Sequence, residues 1–182
     1  MTQLPFEEGR FDAVIIVFGI FFVPDMEGQV RKLLRLVRPG GKLAVTTWGA
    51  RFFEPAYTEW KAALSMLAPG LVADFNPWDR ITTTEAVQDL LEDGSAGNEN
   101  GRRRTIKVVA EDCEHPLSTP EDFWRIALGS GLRWPIEKLG ESKAMLLKKM
   151  LVERLTERPE GPVGSIETNA IYGIVRGAPG NG

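Results

Sequence analysis

The side chains best suited to proton transfer or metal binding are scarce in this sequence. Among its 182 residues there is one histidine, His115, and one cysteine, Cys113. A lone pair of this kind cannot hold zinc, and a single cysteine allows no disulfide within the chain. No metal site is expected. His115, followed by Pro116, would suit general acid–base work near neutral pH, and it equally suits a solvated loop. Cys113 is expected to pack at a strand end. Asp25 could serve as a base, or its carboxylate could cap the helix that follows it. No G-x-G-x-x-G follows a strand pattern. The glycines of "GSAGNENG" have no strand leading into them, so a phosphate cradle is not expected there.

Composition narrows the classes further. The chain is 43% hydrophobic and 26% charged, with a net charge of −3, which is the profile of a globular domain. Its one basic run, Arg102-Arg103-Arg104, has no interleaved aromatics, so no nucleic-acid partner is expected. The longest apolar run, Ala13 to Val23, is too short to span a membrane and makes a poor leader. A cytoplasmic, reducing setting is the default expectation.

The elements that must position any site follow from periodicity. "FDAVIIVF", opening at Phe11-Asp12, has the Val/Ile-rich pattern of a strand covered on both faces. Val30, Leu33, Leu34 and Val37 recur at helical spacing after Asp25. Arg38-Pro39-Gly40-Gly41 stops that helix. Lys42 to Trp48 is the next strand, completing a strand–helix–strand unit. A short helix is expected over Ala56 to Leu67. Thr82 to Glu85 and Ser118 to Glu121 have capping-box spacing, each ahead of an amphipathic helix. Thr105 to Ala110 is a third strand, Glu141 to Arg158 a longer helix, and Ile166 to Arg176 a last strand. Residues 1–176 are expected to form one domain portion, and 177–182 a disordered tail.

These segments resemble class I S-adenosylmethionine-dependent methyltransferases, above all the ubiquinone and menaquinone methyltransferase group. The likeness is carried by Leu4-Pro5-Phe6, Phe11-Asp12, Phe18-Gly19 and Leu36-Val37-Arg38-Pro39-Gly40-Gly41. "PWDRITTTEAVQDLLEDG", "STPEDFW" and "IETNAIYGIVRG" continue it more loosely. The resemblance implies an α/β fold: a partial doubly wound Rossmann-like methyltransferase sheet, strands four to seven, with helical insertions and an antiparallel last strand. Strands one to three are not matched, nor are the glycine-rich loop and the acidic residue that holds the cofactor ribose.

The resemblance also implies roles. Leu4, Pro5, Phe6, Phe18 and Gly19 would bind S-adenosylmethionine. Phe22, Trp48, Phe52 and His115 would face a small-molecule acceptor. The catalytic residue is not legible, because an in-line methyl displacement depends on alignment more than on side-chain chemistry. The stretch after the first strand, "FGIFF", is not the Asp/Asn-Pro-Pro-aromatic motif of amino-nitrogen methylation, so an oxygen or carbon acceptor is expected. Without the glycine-rich loop the chain is expected to be inactive by itself, as the carboxyl-terminal portion of a methyltransferase. The alternative is a non-catalytic partner or scaffold that pairs, or self-associates, through an exposed strand.

Overall fold

A computed structural model describes residues 4–96 and 104–177. In chain order the elements are β1 (Phe11–Val17), α1 (Met26–Leu36), β2 (Val37–Trp48), α2 (Ala56–Leu67), α3 (Thr84–Ser95), β3 (Thr105–Glu111), β4 (Glu114–Pro116), α4 (Asp122–Leu128), α5 (Arg133–Leu139), α6 (Glu141–Thr156), β5 (Ser165–Glu167) and β6 (Ala170–Arg176). They fall into two compact units. The first holds the described parts of Met1–Ala50, Asn76–Glu111 and Asn169–Gly182; the second holds Arg51–Phe75 and Asp112–Thr168.

The first unit is a four-stranded sheet of order β1-β2-β6-β3. β1 and β2 are parallel, and β6 runs antiparallel between β2 and β3. The antiparallel course of the last strand is as the resemblance implies. α1 begins where Asp25 accepts a hydrogen bond from the Gly28 amide at 2.8 Å, so this carboxylate is a helix cap. Val30, Leu33 and Leu34 are buried against the sheet, as their spacing requires.

β2 begins earlier than the sequence suggests. Phe11 pairs with Val37 and Ala13 with Lys42, so β1 advances two residues while β2 advances five. Arg38-Pro39-Gly40-Gly41 bulges out of the ladder, with Arg38 paired to Asp12. A Cβ on Gly41 would lie 2.6 Å from the Asp12 carbonyl oxygen, which only glycine avoids.

The expectation that β1 is covered on both faces is corrected. Val87, Leu90 and Leu91 of α3 join α1 on one face of the sheet, over Ile16, Leu43, Val45, Ile171 and Val175. Among the described residues the opposite face of β1 stays open. Ile15 is 66% exposed and Val17 63%, because β1 is an edge strand and both helices lie over the other face.

The second unit packs α2, α4, α5 and α6 around Trp60, Phe123, Leu147, Leu151, Leu155 and Ile166. The leucines at 147, 151 and 155 form one stripe of α6. Glu59 of α2 accepts from Arg154 of α6 and from Arg158 just beyond it, each at 2.9 Å. β4 and β5 form a separate antiparallel pair.

Four further expectations change. The last strand is two strands: β5 pairs with β4, and β6 joins the main sheet. α5 was not foreseen, since Pro135 near its start reads as a breaker. The Ser118–Glu121 capping box does not form. Asp122 accepts from the Thr119 amide, while Glu121 pairs with Lys148, which holds its carboxyl below the usual range. Cys113 is exposed rather than packed, although its carbonyl accepts from the Thr168 amide. Residues 97–103, which hold most of the "GSAGNENG" stretch and Arg102-Arg103, and the tail after Gly177 lie outside the described residues. Among the described residues no helix is long and apolar enough to cross a membrane.

α3 lies close on β6 because residue 173 has no side chain. A Cβ there would lie 2.5 Å from Leu91 Cδ1 and 2.8 Å from Val87 Cγ1. Gly173→Val should therefore destabilise the fold by about 1–3 kcal/mol through overpacking, read as a lower urea midpoint with an unchanged m-value.

Candidate active site

The carboxyl ends of parallel strands are where open α/β sheets gather ligand groups. β1 ends in Phe18-Gly19, and β2 ends in Thr46-Thr47-Trp48. Phe18 has φ +46°, a left-handed backbone that bulky residues rarely adopt. Gly19 has φ −138°, a conformation open to any residue. The strained position of this turn is thus carried by the phenylalanine. The Phe18 ring lies flat on Trp48, with centroids 3.6 Å apart and planes 7° from parallel. Both side chains are half-buried.

The chain then makes a single helical turn, Ile20–Phe22. Phe21 is buried, and Phe22 packs on it at 4.8 Å while remaining 61% exposed. Residues 77–81 brace this turn. Arg80 donates to the carbonyls of Val23 and Pro24 at 3.1 and 3.0 Å, and Trp78 meets Phe21 edge-on at 6.2 Å. The buried Thr47 hydroxyl donates to the Ile81 carbonyl at 3.1 Å, tying the same segment to β2.

Leu4 and Phe6 precede β1 and lie along its flank. They line a groove of about 360 Å³ with Phe11, Val14, Leu33 and Leu36. Phe6 meets Phe11 edge-on at 5.2 Å, and Pro5 is exposed. The structure therefore gathers Phe18, Gly19, Phe22 and Trp48 at the end of β1, and sets Leu4 and Phe6 beside its flank. Phe52 and His115 belong to the second unit. Phe52 stacks on Phe53 at 3.8 Å, and His115 sits exposed in β4 opposite Ile166. Thr46, Thr47, Trp78 and Arg80 were not singled out from the sequence. A pair of threonines ending an apolar strand was the available signal.

The chemistry of this edge is apolar and aromatic. Among the described residues no group of three His, Cys, Asp or Glu side chains could hold a metal. No strand among them runs into a turn of three spaced glycines. The residues present fit the apolar side of a nucleoside cofactor and leave its phosphate-type or ribose grip unprovided.

Comparison with known proteins agrees with this geometry. Residues 1–45 match a methyltransferase domain family. A demethylmenaquinone methyltransferase of Mycolicibacterium gilvum is 50% identical over 44 residues, covering 24% of this chain and 19% of that enzyme. Over these residues the chain is similar to class I S-adenosylmethionine-dependent methyltransferases. An uncharacterized Mycobacterium bovis protein is 35% identical over 103 residues, 54% of this chain and 35% of the relative. The matches thus span about a third or less of these two relatives. A crystal structure from Anabaena variabilis, described as a methyltransferase of an antibiotic biosynthesis pathway, shares the fold. Its TM-score is 0.53 at 18% identity, over 93% of this chain and 69% of that one. In this chain the carboxyl edge of the sheet is pinned by Thr47. Thr47→Val keeps the shape but leaves the buried Ile81 carbonyl unpaired. It should cost about 1–3 kcal/mol in chemical denaturation.

Proposed function

We propose that residues 1–176 form the carboxyl-terminal portion of one methyltransferase domain, which transfers a methyl group from S-adenosylmethionine to oxygen or carbon of an apolar small molecule. The observation that carries this reading is the carboxyl edge of β1 and β2. There a strained Phe18 stacks on Trp48, beside Gly19 and the exposed Phe22. Leu4, Pro5, Phe6, Phe18 and Gly19 are assigned to the cofactor side, and Phe22 and Trp48 to the acceptor side; Phe52 and His115, which lie in the second unit, are left without a role. When bound, the cofactor supplies the methyl sulfonium. The chain's aromatic groups exclude water and orient the acceptor for in-line attack.

The glycine-rich turn and the ribose-binding carboxylate must come from further strands laid against β1. Calorimetry with S-adenosylhomocysteine should give no measurable heat with this chain alone. A chimera carrying the amino-terminal portion of the M. gilvum enzyme should bind in the micromolar range. Micromolar binding by the chain alone would remove the need for added strands. A folded chimera that binds nothing would overturn the methyltransferase reading.

A second reading rests on the open edge of β1. Ile15 and Val17 are exposed on a strand with no charge, proline or bulge between Ala13 and Val17. The chain would then be a non-catalytic partner that pairs through this strand, with itself or with another chain. Sedimentation should show concentration-dependent association of the wild type that Ile15→Lys abolishes. A wild type that stays monomeric at all concentrations would contradict this reading.

A further inference from the structure

The Phe18 amide donates to two atoms of one residue: the Thr46 carbonyl at 3.2 Å and the Thr46 hydroxyl oxygen at 3.0 Å. Thr46 sits in β2 opposite Val17 of β1 and Tyr172 of β6, so its backbone is fixed from both sides. This contact spans 28 residues of sequence and is the last tie between the two parallel strands before the chain leaves β1.

If the left-handed backbone at position 18 served only to turn the chain, glycine would be its least strained occupant. Glycine stands one position later, where no left-handed backbone is needed. A phenylalanine therefore occupies the strained position, and its ring lies parallel to Trp48. Something must hold that amide in place against the strain. A valine at 46 would suit the strand equally and fill the same volume, but it could not accept the second hydrogen bond.

We propose that Thr46 is a positioning residue, whose hydroxyl fixes the Phe18 amide and thereby lays the Phe18 ring flat on Trp48 as the aromatic wall that an acceptor meets. The wall's role toward an acceptor rests on the methyltransferase reading above; the positioning itself does not.

The test uses the full chain and NMR. Stacking on an indole displaces the Phe18 ring protons upfield. Thr46→Val should return them to ordinary phenylalanine values, with the thermal midpoint within a few degrees of wild type, and Thr46→Ser should restore the displacement. 1-Naphthol, a flat apolar probe with one hydroxyl, should perturb the Trp48 indole resonance in wild type and Thr46→Ser. It should bind at least fivefold more weakly to Thr46→Val. Phe18→Gly should fold with an equal or higher thermal midpoint and lose the naphthol response. Were Thr46→Val to keep both the ring displacement and the naphthol affinity, the proposal would fall. Were Thr46→Val to lose the ring displacement while 1-naphthol left Trp48 unperturbed even in wild type, the positioning role would stand and the acceptor-site reading would fall.

Discussion

The parallel pairing of Ala13–Val17 with Lys42–Thr46 is the contact on which the first unit depends. It fixes where β1 ends, and so where Phe18 and Gly19 emerge beside Trp48. It also sets the path of α1, whose apolar stripe crosses between the two strands. A parallel strand normally has partners on both edges and helices over both faces. Among the described residues β1 has one partner, β2, and one covered face, over Ile16. Its exposed isoleucine and valine follow from that single constraint.

The same constraint explains the composition of the site. The edge that β1 and β2 present is apolar, aromatic and braced by threonine hydroxyls and Arg80. Those groups suit an acceptor and the apolar side of a nucleoside. A methyl displacement asks for alignment and dryness, and this edge can supply both. Among the described residues this edge is held by a strand whose one ladder partner is β2.

Much of this was legible where the signal is local. α1 could be read because Asp25 caps it and Val30, Leu33 and Leu34 repeat at helical spacing. α2 could be read over its whole span. The antiparallel last strand followed from the likeness carried in part by the Arg38-Pro39-Gly40-Gly41 turn. What was not legible depends on distant partners. Thr46 matters through an amide 28 residues away. The last strand breaks at Thr168-Asn169 although its apolar pattern continues. The Thr168 amide turns to the Cys113 carbonyl, and the Asn169 carbonyl to the Gly49 amide. Ser118 to Glu121 has the spacing of a capping box, but Lys148 of α6 takes the Glu121 carboxylate instead. The exposure of Ile15 was hidden for the same reason, since a run of Val and Ile does not say which face the helices cover.

The most direct test of the central claim, that β1 is an open edge with one ladder partner, is amide hydrogen exchange along Ala13–Val17 at concentrations where the chain is monomeric. In parallel pairing a residue bonds one neighbour with both its backbone groups, and the next residue faces the other way. The account predicts alternation, with the amides bonded to β2 protected and those between them exchanging fast. Uniform protection along all five amides would contradict it, because a second strand would then already lie against β1.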